Sequence, residues 1–346
     1  MVVHLGDGDW IVVDSCVNRS SREPVALEYL KSLGVDITER VKLVVATHWH
    51  DDHIRGISKV LRAAASAKFV DSGAYDSREL AKLVALGSKT GGNASVMEEY
   101  SSIYQVLKER RLRGERHDAV GPLHAIANRP LLKLSGTGRV LNAQVIALSP
   151  SDGTINRAKA ELAHAIKQVR NRRGPVRQGP NQLSVALWLN VGAIQAILGA
   201  DLEHVVGVTE GWTSIVASTE RPQDRAGIFK VAHHGSKNAD CPGCWETLLS
   251  TEPLAVVTPY APSRLPGRND LERLCKRTPQ LFLTGDHLRY KAAKRDHSVE
   301  RTLREGGLKL RPLEGQTGHV RFRADARDSS LVPEVELFNG AEKKCA

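Results

Sequence analysis

Aromatic side chains are scarce in this 346-residue chain, at 5%, and only 2 residues are methionine. A core must therefore come from Val, Leu, Ile and Ala, and an apolar content of 41% is enough to bury one. No apolar run approaches the ~18 residues of a membrane-spanning helix. The N-terminus enters a strand almost at once and has no signal-peptide layout, so a soluble cytoplasmic protein with no membrane partner is expected. The 5 cysteines (Cys16, Cys241, Cys244, Cys275 and Cys345) are odd in number and irregular in spacing, which argues against a disulfide framework. Cys241-Pro-Gly-Cys244 stands without a second pair and reads as a reduced loop pair. Acidic residues are outnumbered: 49 Lys and Arg against 39 Asp and Glu leave a net charge of +10. That excess favours an anionic partner such as nucleic acid, although solvated basic faces produce the same count.

What the chain does contain is concentrated in one hexapeptide, His48-Trp49-His50-Asp51-Asp52-His53. It follows the apolar run Val41-Lys42-Leu43-Val44-Val45-Ala46-Thr47, which reads as a buried strand. Imidazole and carboxylate together are ligands for borderline and hard divalent metals. An extended His-x-His pair points both rings the same way, because strand side chains alternate faces. The next turn can swing Asp52 and His53 toward a second ion, so two adjacent metals are expected. Further ligands are expected at the ends of other apolar runs. Asp14 closes Trp10–Val13, Asp201 closes Ile194–Ala200, and His233 and His234 close Ile228–Ala232 before Gly235-Ser236. Side chains held at strand ends by a rigid sheet are how such clusters are built.

The remaining pattern alternates hairpins with strand–helix units. Helices are expected over 25–33 (stopped by Gly34), 57–65, 76–113, the first part of 151–180, 271–277 and 299–305. Strands are expected at 10–13, 68–71, 140–148, 183–190, 193–198, 228–231, 255–258, 281–284 and 320–322, with Val191-Gly192 as a hairpin turn. Two stretches are strongly basic. One carries Lys108, Arg110, Arg111, Arg113 and Arg116. The other, a helical insert over 151–180, carries Arg157, Lys159, Lys167, Arg170, Arg172, Arg173 and Arg177. Either lines a nucleic-acid groove or is a solvated helix face. One domain is expected over 1–325, followed by a loose polar tail over 326–346.

His-x-His-x-Asp-His, then an apolar run ending Gly-x-Asp, then a strand ending His-His-Gly-Ser, resembles the metallo-β-lactamase fold. The similarity extends to its ComEC-like branch, the nuclease-like domain of a bacterial DNA-uptake protein. Gly6-Asp7-Gly8-Asp9, Asn181-Gln182-Leu183-Ser184 and Lys230-Val231-Ala232-His233-His234-Gly235-Ser236 carry that finer resemblance, which spans roughly residues 3 to 323. It implies an α/β architecture: an αββα sandwich of two mixed sheets flanked by helices. It implies that His48 and His50 hold one metal, that Asp52, His53 and His234 hold the other, and that Asp201 bridges them. Asp14 would orient a ligand histidine, and His233 would face substrate or move a proton; the reverse assignment of His233 and His234 stays open. The family's usual third histidine on the first metal is missing. The strand that should deliver it ends Ser149-Pro150-Ser151, with a serine in its place, and His117 and His124 lie in the interval without closing a clear strand. Asp286, in a second strand ending Gly-Asp, comes too late in the chain to be the bridge.

Such a site suits hydrolysis by an activated water, with two Zn²⁺ or Mn²⁺ ions (Mg²⁺ as an alternative) as cofactors. The expected activity is a nuclease or phosphodiesterase acting on DNA or RNA, with Asp52 and His233 as catalytic groups. Ser236, Lys237, Asn181, Arg170, Arg172 and Arg173 are the expected substrate contacts. A protein partner that activates or regulates the enzyme is compatible with a free-standing nuclease. The alternatives are a small-molecule metallohydrolase of the same fold (phosphocholine-type esterase, thioesterase or lactamase) and a non-catalytic binding protein.

Overall fold

Alternation along two short strands sets the layers. In β2 (Trp10–Val13), Ile11 and Val13 join one apolar cluster while Val12 joins another. In β3 (Val41–Val45), Leu43 and Val45 side with the first cluster and Val44 with the second. A strand buried on both faces must lie between two layers, since its side chains alternate. The computed structural model describes residues 1–18, 20–75, 94–115, 119–136, 141–170, 180–205, 210–285, 296–307, 318–328 and 333–345.

The first sheet has five strands in the order β1 (Val2–His4), β2, β3, β4 (Lys68–Ser72) and β5 (Pro122–Ala125). β2 to β5 run parallel, and β1 is antiparallel to β2. The second sheet contains β6 (Pro130–Leu134), β7 (Ala143–Ala147), β8 (Leu187–Val191), β9 (Ile194–Leu198), β10 (Ala226–Lys230), β11 (Leu249–Val257) and β12 (Leu281–Leu283). An antiparallel pair, β13 (His319–Arg323) and β14 (Glu334–Phe338), forms a sheet of its own, and β15 (Glu342–Lys343) returns to the edge of the second sheet beside β12. β6 to β9 are antiparallel, whereas β9 to β12 are parallel.

The two sheets enclose Ile11, Val13, Leu43, Val45 and Val70 from one side and Val145, Leu187, Leu189 and Leu198 from the other. Outside the first sheet, Val44 and Phe69 pack on Leu30, Ile57, Leu61, Tyr100 and Ile103. Outside the second, Ile197 and Phe229 pack on Trp212, Ile215, Leu271 and Leu274. This is the expected αββα sandwich of mixed sheets.

Several elements differ from expectation. The helix over 76–113 is seen as Ala94–Leu112, and residues 76–93 lie outside the described part. The hairpin turn falls on Gly192-Ala193, because Val191 pairs with Ile194. β1, β5 and β6 had not been anticipated. They lie at sheet edges, two of them begin with proline, and edge positions ask for little apolar alternation.

Three corrections concern chemistry. Cys275 and Cys345 form a disulfide, with Cα atoms 5.6 Å apart, so the cysteine pattern misled; Cys16, Cys241 and Cys244 are free. The C-terminal stretch is not loose. Glu336 pairs with Arg321 and Arg323 across the β13–β14 hairpin, and the disulfide fastens the end of the chain to the Arg268–Cys275 helix. Its mean polarity hid a strand whose Val335 and Leu337 alternate with charge. Finally, Arg110 belongs to no groove. It is 1% exposed and donates to the carbonyls of Leu61, Ala64, Ala67 and Ala119.

Candidate metal centre

β2 and β3 end beside β9 and β10, and each of the four strands delivers one group. Asp14, directly after β2, is held at φ 55 with its N–H on Val45 O at 2.8 Å. Thr47, His48 and His50 follow β3 in a turn rather than in the extended strand that was expected. His50 is the N-cap of the short helix Asp51–Ile54, which places Asp52 and His53 one turn on. Gly199 lets the ends of β9 and β10 close together: a Cβ there would meet Ala232 Cβ and Lys230 O at 2.9 Å. Asp201 follows it. His233, His234 and Gly235, after β10, all have positive φ, at 45, 53 and 77°. Two consecutive left-handed non-glycine residues are costly and persist only when other bonds hold them. Here Ala200 O accepts the His233 N–H, Thr258 O accepts from the His234 ring, and Arg273 donates to Gly235 O at 2.6 Å.

The result is two groups. His48, His50 and Asp201 form one; Asp52, His53 and His234 form the other, and within each the candidate ligand atoms lie within 4.8 Å of one another. Asp201 lies between them. Its carboxylate oxygens are 3.8 Å from His48 Nε2, 3.4 Å from His53 Nε2 and 3.5 Å from His234 Nε2. His234 Nε2 is also 3.5 Å from Asp52. Three of the imidazoles are anchored through Nδ1. His53 Nδ1 lies 2.7 Å from Asp14 Oδ2, His234 Nδ1 lies 2.8 Å from Thr258 O, and His48 Nδ1 lies 3.1 Å from Thr47 Oγ1. Each then presents Nε2 to the centre, the arrangement that ligand histidines require.

Charge follows geometry. Burial above all pushes the His48 and His50 pKa values down, so both are neutral. For His53 burial pulls the same way, but Asp14 and then Asp201 outweigh it and push the value up to about 10. His234 is raised likewise by Asp201 and Asp52. Burial raises the Asp201 carboxyl, yet His234 and His53 hold it well below the usual carboxylate range. Asp201 is 2% exposed, and its Oδ1 has no partner at hydrogen-bond geometry among the described residues. Two neutral imidazoles, two more that a cation can deprotonate, carboxylates and an orphaned central oxygen are a donor set that fits divalent cations.

The other expected residues divide. His233 closes a network beside the centre rather than joining it. Its Nδ1 lies 3.0 Å from Asn238 Oδ1 and its Nε2 3.1 Å from Asn181 Nδ2, and both amides also donate to Glu203. Asn181 is 8% exposed. Ser236 is half-buried and Lys237 exposed, on the turn that follows His234. Arg170 ends the Asp152–Arg170 helix; Arg172, Arg173, His117 and Asp286 lie outside the described residues. Ser149 is a structural clasp, its hydroxyl donating to Ser184 O and accepting from Ala186 N–H. His124 pairs with buried Asp71 at 2.6 Å, on strands away from the cluster.

Sequence reasoning missed Thr47, Glu203, Asn238 and Tyr260. Thr47 touches the hexapeptide and Glu203 lies two residues past Asp201, so adjacency was an available signal. Tyr260 stacks on the His234 ring, with centroids 4.9 Å apart and planes at 20°. It arrives from β11, and nothing in the local sequence marks it.

The family model of the metallo-beta-lactamase superfamily matches residues 1–79. Strand order, layers and the strand-end cluster agree with that match, and the fold is the metallo-β-lactamase fold. No curated protein matches the chain. Among solved structures, human tRNase Z, short form, is 11% identical over 82% of this chain and 83% of that one, with a TM-score of 0.34. A metallo-beta-lactamase HARLDQ-motif mutant from Cronobacter sakazakii is 12% identical over 66% and 69%, with a TM-score of 0.31. The metallo-beta-lactamase fold protein YhfI from Bacillus subtilis is 10% identical over 64% and 58%, with a TM-score of 0.27.

Proposed function

We propose that the chain is a metal-dependent hydrolase that cleaves phosphodiester bonds in DNA or RNA, of the ComEC-like kind its motifs resemble. The observation that carries this reading is the position of Asp201, within 3.8 Å of His48 and 3.5 Å or less of His53 and His234. One carboxylate shared by two imidazole groups suits a pair of divalent ions. His48, His50 and Asp201 would hold one; Asp52, His53 and His234, with Asp201 between, would hold the other. Such ions, once bound, supply Lewis acidity toward phosphoryl oxygens and lower the pKa of water.

The chain's own residues supply the rest. Asp14 fixes His53, and Thr258 O fixes His234. His233 has both ring nitrogens engaged, so in this closed network it steadies the loop that carries His234; it moves a proton only if Asn181 or Asn238 lets go. Exposed Lys237 can meet a phosphate beside the centre. Arg170, Arg172 and Arg173 would add positive charge for a longer polymer.

A cleavage assay tests the reading, using plasmid, single-stranded DNA and RNA with Mn²⁺, Mg²⁺ or Zn²⁺. The wild-type protein should cleave at least one, and Asp52→Ala and Asp201→Ala should lose about 100-fold or more. No cleavage of any polymer, or variants as active as wild type, ends the nuclease reading. A thioester, lactam or phosphocholine ester turned over in its place would establish the small-molecule alternative.

A further inference from the structure

Tyr260 lies against the centre without belonging to either ligand group. It sits where β11 leaves the second sheet, in a loop that closes on itself: Tyr260 N–H donates to Leu265 O at 2.7 Å, and Leu265 N–H to Tyr260 O at 3.1 Å. Two residues earlier, Thr258 O anchors the His234 ring at 2.8 Å. One strand end therefore fixes both His234 and the tyrosine stacked on it, 4.9 Å away. Tyr260 is half-buried.

Through His234, whose Nε2 lies 3.5 Å from both Asp52 and Asp201, the Tyr260 ring adjoins the centre. The groups gathered here are chiefly carboxylates and imidazoles committed to one another. The Tyr260 phenol is held by its ring, and among the described residues its hydroxyl has no hydrogen-bond partner. Preorganised donors of this kind are what an anionic oxygen needs in a site that develops negative charge.

We propose that the Tyr260 hydroxyl donates a hydrogen bond to an anionic oxygen of the substrate's phosphate, while its ring rests on His234. This rests on the phosphodiester reading above and adds a substrate-contacting residue to it. No bond is made or broken at Tyr260, and its proton stays on oxygen.

Tyr260→Phe separates the hydroxyl from the ring, since phenylalanine keeps the stacking. The protein is loaded with Mn²⁺, its metal content is measured, and inorganic phosphate is titrated in by calorimetry. Hydrolysis of bis-nitrophenyl phosphate is followed in parallel. The expected result is unchanged metal content, phosphate bound about tenfold more weakly or worse, and kcat lowered by a similar factor. Phosphate bound by Tyr260→Phe as tightly as by wild type overturns the proposal. So does loss of metal from the variant, because Tyr260 would then act only through His234. So does a wild-type protein that binds no phosphate. If wild type binds phosphate but hydrolyses no phosphodiester, and Tyr260→Phe binds phosphate less tightly, the anion contact stands and the phosphodiesterase reading falls.

Discussion

Asp14 Oδ2 lies 2.7 Å from His53 Nδ1, and the same oxygen accepts the Thr47 hydroxyl at 2.8 Å. Thr47 Oγ1 in turn lies 3.1 Å from His48 Nδ1. With its hydrogen given to Asp14, that oxygen is left to accept the His48 N–H. One carboxylate therefore orients imidazoles of both groups, His53 directly and His48 through Thr47.

Asp14→Asn should weaken metal binding by about 10- to 100-fold, the range for losing a partner that orients a ligand. An amide can present an N–H to His53 Nδ1 and force the ring into the wrong tautomer. Thr47→Val should do less, and only to the His48 group, so it should lower one affinity of two. Competition for Zn²⁺ against a chelating dye measures both. Equal loss of both sites in Thr47→Val would contradict the relay.

Metal binding should release protons. Asp14 and Asp201 push the His53 pKa up to about 10, so the metal-free ring is protonated at neutral pH. His234 is raised in the same direction. A cation must displace those protons, so affinity should rise with pH through the neutral range and level off as His53 deprotonates unaided. Calorimetry in buffers of different ionisation enthalpy reads the released protons directly. Asp14→Asn should release fewer, because the raised His53 pKa depends on that carboxylate; release that is unchanged would place the proton elsewhere.

Arg110 should matter to stability and not to nucleic acid. Its guanidinium donates to four carbonyls, among them Leu61 and Ala64 at the end of the Ile57–Ala63 helix. Arg110→Met leaves those acceptors buried and unpaired, which should cost about 3 kcal/mol or more. A urea melt gives the loss. Nucleic-acid affinity of the protein that remains folded should be unchanged, and a fall in that affinity would return Arg110 to the surface.

The clustering of the hexapeptide with Asp201 and His234 was legible because candidate ligands at strand ends follow apolar runs that a sequence displays. The layers were legible for the same reason, as in Ile11-Val12-Val13. What stayed hidden depends on contacts between distant segments. Tyr260 reaches His234 from the end of the neighbouring strand β11, across the intervening helix and loops, and the Cys275–Cys345 pair joins residues 70 apart. Arg110 read as surface because charge alone does not reveal four carbonyls waiting beneath it. His48 and His50 fall in one group by way of a turn and an N-cap, not by strand alternation.

The basic insert is the remaining place where charge must be converted to function. Its helix Asp152–Arg170 carries Arg157, whose guanidinium is already paired with Glu210. Counting arginines there overstates what a polyanion can use. The proposed phosphate-binding residues are Arg170, Arg172 and Arg173. Exchange of all three for Glu should weaken binding of a DNA or RNA oligonucleotide and flatten its dependence on salt, by about 0.9 in log–log slope for each duplex phosphate no longer neutralised. Arg157→Gln, in contrast, should leave the slope as it is, because that charge is neutralised within the fold. Fluorescence anisotropy across a salt series separates the two. A slope unchanged by the triple exchange would make the insert a solvated helix face and leave Lys237 and the metal centre as the anion-binding part of the molecule.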